Sequence, residues 1–238
     1  SLSMKTDADD EAICLCFPPV GWQRVNVGRA LYEHNELFRA ALEECDRASR
    51  GELPQSLVKV LYPAAAEDVP MYEEVLQRPL FTFPALFAIE YALSALLTAE
   101  GCEPFAVIGH SLGAFVAATV AGILDLPTAL SLVMERGRAM ESTVSLGAMI
   151  SVKCSAETVA AVLRRSELAP STSLSEAREV TVAAINGPMA CVLSGTHGGL
   201  SAALKALPTG TRFRRVRATH ADHSPLMAPV AAAMRSKA

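Results

Sequence analysis

The chain alternates short, continuously apolar runs with longer stretches in which apolar residues recur every three or four positions. Ala12–Phe17 is the first short run and stops at Pro18 and Pro19, which predicts a buried strand feeding a loop. Val27, Leu31, Phe38 and Leu42 then share one helical face, predicting a helix to about Cys45. Residues 47–78 carry Pro54, Pro63 and Pro70 and predict loops with short helical turns. From Pro84, which suits a first helical turn, Leu86, Ile89, Leu93 and Leu97 form one stripe that Gly101 ends. Pro104–Gly109 predicts a second buried strand, turning at His110–Ser111 into a helix from Leu112 to about Ile123. Pro127–Met140 predicts another helix. Strands alternating with helices in this way predict an α/β fold, with a parallel sheet covered on both faces.

The pattern changes beyond this point. Gly147–Lys153 predicts a strand, Ala156–Arg165 a helix, and Val180–Asn186 and Ala190–Ser194 two strands around a Gly187–Pro188 turn. Leu200–Leu207 predicts a helix and Arg212–Arg217 a last strand, with Pro170–Glu176 as a Ser-rich loop. The order β-α-β-β-α-β is that of a ferredoxin-like unit. It predicts a small domain over 145–218 inserted into a larger one formed by 12–144 and 219–238.

Composition narrows the class. The 238 residues are 51% hydrophobic, enough for a substantial core, and the net charge of -4 argues against a nucleic-acid surface. No apolar run approaches a membrane span and no targeting signal opens the chain, so a cytoplasmic protein is expected. The six cysteines are scattered and predict buried thiols, with Cys14 and Cys16 on one strand face. No metal site is expected.

Gly109-His110-Ser111-Leu112-Gly113 fits the G-x-S-x-G turn that lifts a nucleophilic serine out of a strand into the start of a helix. Its glycines suit a turn where backbones nearly touch. A serine nucleophile needs a base. His34 and His197 sit in polar surroundings, His197 in a predicted loop, and His110 is fixed beside the serine. His220 and His223, in Thr219-His220-Ala221-Asp222-His223, remain as candidates where the chain returns to the larger domain. Arg212, Arg214, Arg215 and Arg217 predict a strand with a solvated basic face, or a surface for phosphates or an acidic partner.

The segment from Val107 to Ala118 resembles the active-site segment of malonyl-CoA:acyl-carrier-protein transacylases and of the acyltransferase domains of polyketide and fatty acid synthases. Phe83–Ala88, Glu135–Met140, Asn186-Gly187-Pro188 and His223–Met227 match further segments in the family's order. The resemblance implies an α/β-hydrolase-like domain with a ferredoxin-like insertion. It implies Ser111 as the acylated residue, His223 as the base and Arg136 as the guanidinium that holds the free carboxylate of a malonyl-type group. It places the oxyanion donors at the N–H groups of Val20 and Leu112, and His110, Met140, His220 and Asn186 around the substrate.

A coenzyme A thioester, malonyl-CoA in the first instance, is then the substrate, with no bound cofactor. An acyl carrier protein and neighbouring domains of a multidomain synthase are the implied partners. The family's domains continue past the position matching Ala238, so an excised piece is expected. His220 is the residue that malonyl-selective members carry, but Asp222 stands where they have Phe. Pro19 and Val20 replace the Gly-Gln of the usual N-terminal loop, and Phe83 stands where many members have Gln. A serine hydrolase and a non-catalytic scaffold module are the alternatives.

Overall fold

The computed structural model describes residues 12–143, 147–165 and 180–236; the Pro170–Glu176 loop lies outside them. In the larger unit, β1 (Cys14–Phe17) pairs in parallel with β2 (Ala106–Gly109), Phe17 opposite Gly109. Leu15 and Val107 point from this sheet into a core containing Phe38, Leu42, Phe81, Phe87 and Leu130. The opposite face, with Cys14, Cys16 and Ile108, is exposed among the described residues. The expectation of six buried thiols is therefore corrected: Cys45, Cys154 and Cys191 are buried, Cys102 is half-buried, and Cys14 and Cys16 sit on the uncovered face.

The first predicted helix is two, α1 (Arg29–His34) and α2 (Glu36–Ala48). Asn35 is extended between them, and its side chain accepts from the N–H of Phe38 at 2.9 Å. A cap of this kind satisfies one of the four open donors that begin a helix. α3 (Leu57–Leu61) and α4 (Val69–Leu76) follow. α5 (Pro79–Ala99) starts one turn and a half before Pro84, which lies inside it. An interior proline costs roughly 3 kcal/mol. Burying Leu80, Phe81 and Phe83 returns about 1.5–3 kcal/mol each, so the longer helix wins. α5 also has the length and hydropathy of a membrane span, against the sequence expectation, but 72% of its most apolar window is buried inside the protein. It is the central core helix.

α6 (Gly113–Val120) follows β2 directly, and α7 (Leu126–Glu141) begins on the Asp125 cap and packs along α5. The smaller unit comprises β3 (Gly147–Val152), α8 (Ala156–Arg165), β4 (Val180–Gly187), β5 (Ala190–Thr196), α9 (His197–Ala206) and β6 (Phe213–Arg215). Its antiparallel sheet has the order β4-β5-β3-β6, as a βαββαβ unit requires. Val152, Val159, Val162, Leu193 and Leu200 form a second core of its own. The protein is thus a mixed α/β fold with a small antiparallel subdomain set into the chain of a larger one. α9 starts earlier than predicted: Thr196 accepts from Gly199 N at 3.0 Å, so His197 opens a helix, not a loop. The chain then returns through residues 216–227 to α10 (Ala228–Arg235).

Candidate active site

The turn between β2 and α6 is held by contacts that admit no side chain at two positions. A Cβ on Gly109 would lie 2.2 Å from Gly113 O and 2.3 Å from Ala114 N. One on Gly113 would lie 2.3 Å from Phe17 O, at the end of β1. With the backbones this close, Ser111 is forced into the left-handed region at φ 55°. That conformation is uncommon for a residue other than glycine and marks a locally strained position.

His223 occupies the same region, at φ 60°, on the return segment. Its Nε2 lies 2.9 Å from Ser111 Oγ although the two residues are 112 apart in the chain. With the ring's proton on Nδ1, Nε2 accepts the serine hydroxyl's hydrogen. Burial holds the His223 pKa below its ordinary value, and the charges of Arg136 and His110 push the same way; Asp222 opposes them. The net effect keeps the imidazole neutral at pH 7, the form that can take a proton.

Ser111 and His223 open on a cavity of about 480 Å³. Val20 and His110 from the larger unit and Asn186 from β4 also wall it, so both units contribute. Leu112 is buried directly beside Ser111. Among the described residues no protein acceptor takes the N–H of Val20 or of Leu112. Pro19 leaves the N–H of Val20 in place, since proline lacks only its own.

Three other residues proposed from the sequence stand away from this cavity's wall. Met140 is buried in a narrow crevice with Val20, Phe83 and Asp222. His220 is buried too, its Nδ1 2.9 Å from Thr219 Oγ1 and its Nε2 3.4 Å from Thr143 O. Arg136, on α7, lays its guanidinium over the Phe83 ring, Cζ 4.8 Å from the centroid, and donates from Nη2 to Asp222 Oδ1 at 3.5 Å. Phe83 thus meets the arginine through its ring face, which attracts cations. Arg138, on the same helix, pairs with Glu135 and Glu52.

Sequence reasoning passed over Trp22 and Met149, which wall the cavity, and left Asp222 undecided. It also left the basic stretch open. Arg214, Arg215 and Arg217 are exposed, as a solvated strand face requires, and also lie on the wall of the cavity that holds Ser111. They reach the cavity because β6 is an edge strand of the small sheet and ends where the return segment begins.

A serine at positive φ on a strand–turn–helix, within hydrogen-bond reach of a distant histidine and beside an inserted antiparallel unit, is an arrangement suited to nucleophilic acyl chemistry. Residues 15–238 match the family model described as the acyl transferase domain. The chain belongs to that family. It is 37% identical over 217 residues to polyketide synthase GfsB of Streptomyces halstedii, an alignment covering 91% of this chain and 4% of that protein. It superposes with a TM-score of 0.77 at 38% identity on the acyltransferase domain from the second module of the salinomycin polyketide synthase. For the acyltransferase domain of ZmaA the TM-score is 0.82 at 31% identity. These superpositions cover 94% and 97% of this chain but 49% and 50% of the solved chains, so it spans about half their length.

Proposed function

We propose that this chain moves a malonyl-type acyl group from coenzyme A, through an ester on Ser111, to the phosphopantetheine thiol of an acyl carrier protein. The observation that carries the reading is the 2.9 Å approach of His223 Nε2 to Ser111 Oγ at the wall of a cavity formed by both units. In the first half-reaction His223 takes the serine proton as Oγ attacks the thioester carbonyl. The N–H groups of Val20 and Leu112 receive the oxyanion, and the imidazolium returns its proton to the departing thiolate. In the second, His223 takes the proton of the carrier thiol as its sulfur attacks the ester carbonyl, and the imidazolium returns that proton to Ser111 Oγ as the acyl–oxygen bond breaks.

Arg136 is the residue we assign to the free carboxylate of the acyl group, since a planar guanidinium offers paired donors to a carboxylate. Arg214, Arg215 and Arg217 give the cavity mouth the positive potential that suits the phosphates of coenzyme A. Similarity to polyketide synthases supports a carrier protein and neighbouring synthase domains as partners, and a substrate drawn from the coenzyme A pool supports the cytoplasm as the site of action.

Intact-protein mass spectrometry after brief exposure to malonyl-CoA, followed by addition of phosphopantetheinylated carrier protein, tests the reading. A malonyl adduct that Ser111→Ala lacks, and that passes to the carrier, is expected. Free malonate without carrier loading would point to a hydrolase; no adduct with any acyl-CoA would point to a scaffold module.

A further inference from the structure

We infer that Asp222 is a specificity-determining residue: it is a resident carboxylate on Arg136 that competes with the carboxylate of an incoming malonyl-type group. The inference rests on the function proposed above and concerns the same site. Asp222 is only 5% exposed, yet it is one of the residues that wall the Ser111 cavity, whereas Arg136 stands behind it. Their side chains are 7% and 17% exposed, so water screens the pair poorly. Arg136 is held from its other face by the Phe83 ring, which leaves its donor edge to be divided between Asp222 and any ligand.

The contact itself is single and long, 3.5 Å from Nη2 to Oδ1, not the two parallel hydrogen bonds of a strong guanidinium–carboxylate pair. Asp222 therefore neutralises Arg136 without saturating it. An acyl group carrying its own carboxylate must either share the guanidinium with Asp222 or displace it, and in both cases two negative charges are brought together. An acetyl group makes no such demand. Asp222 thus lowers the preference for malonyl over acetyl that Arg136 alone would confer.

The test uses Asp222→Asn and Asp222→Ser in the full chain, with folding checked by circular dichroism. Initial rates of acyl-Ser111 formation are measured from malonyl-CoA and from acetyl-CoA, in both the natural and Arg136→Ala backgrounds. Removing one like charge from a poorly screened site should raise the malonyl-to-acetyl ratio about ten-fold or more. The increase should vanish when Arg136 is also replaced. An unchanged or lower ratio, or an increase that survives loss of Arg136, overturns the inference while leaving the proposed transfer intact. Absence of any Ser111 adduct in natural and variant chains overturns the transfer and this inference together.

Discussion

Glu90 lies on α5 with only 4% of its surface exposed, and neither carboxylate oxygen has a hydrogen-bond partner among the described residues. It faces an apolar cavity of about 320 Å³ walled by Leu15, Phe17, Pro18 and Trp22. Burial raises its pKa from 4.5 to about 8. The native state consequently keeps this proton across a pH range in which the unfolded chain gives it up. Stability must therefore fall as pH rises from 4.5 towards 8, and the penalty is complete above that. At about 1.36 kcal/mol per pKa unit, a shift from 4.5 to about 8 sets a ceiling of about 5 kcal/mol. Relaxation and water penetration reduce this, since the effective cost of burying an ion in a real protein is several kcal/mol, and about 3 kcal/mol is the order of magnitude to expect. For a fold stabilised by roughly 5–15 kcal/mol that is a large fraction.

Glu90→Gln keeps the shape and removes the ionisation. Urea denaturation of both proteins from pH 4.5 to pH 9, at constant ionic strength, isolates the effect, because all other titrating groups are common to the pair. The two should be about equally stable at pH 4.5, and the variant should lead by about 3 kcal/mol at pH 9. Parallel curves would refute the reasoning, since they would mean that Glu90 ionises in the native state as readily as in the unfolded one.

Two further outcomes follow from the site itself. Gly113→Ala should destabilise the fold by about 1–3 kcal/mol, because its Cβ meets the Phe17 backbone at 2.3 Å, and should lower Tm by several degrees; an unchanged melting curve would show that the turn can open without cost. Acetyl loading of Ser111 should persist below pH 6.5 and decline as His223 is protonated at its lowered pKa, and Arg136→Ala should move that decline to higher pH by removing a nearby positive charge. A shift to lower pH in the stopped-flow or quenched rates would contradict that assignment of charge.

What the sequence made legible was local. The elbow could be read because Gly109 and Gly113 meet constraints set within a few residues, and the helix caps at Asn35 and Asp125 are equally short-range. The βαββαβ order could be read because each element has its own periodicity and the sheet order follows from known packing rules. Arg136 and Asp222 are 86 positions apart, and nothing in the local pattern of α7 or of the return segment says that one faces the other. Glu90 was equally hidden, since a single acid in an apolar helix is ordinarily placed at the solvent edge of the stripe. The start of α5 was misplaced because Pro79 and Pro84 both suit a first turn, and only the tertiary burial of residues 80–83 decides between them.

The two residues assigned to the chemistry share a property that links the local and the distant readings. Ser111 and His223 are both non-glycine residues with positive φ, a conformation that costs of the order of 1–3 kcal/mol each. At Ser111 the cost is enforced by backbone contacts within the elbow and against β1. At His223 it is enforced from its flanks. Ala221 is fully buried, with its Cβ only 3.0 Å from where a Cβ on Gly147 would sit, and Ser224 is tied by its hydroxyl, which donates to Ala221 O at 2.7 Å. The backbone at His223 is thus fixed by contacts that involve neither side chain of the pair, while the imidazole itself meets the Ser111 hydroxyl through the 2.9 Å contact. In the transfer proposed above, a backbone fixed in this way keeps the imidazole within reach of the hydroxyl while the 2.9 Å hydrogen bond, which sets the ring's own orientation, is broken and remade in each half-reaction.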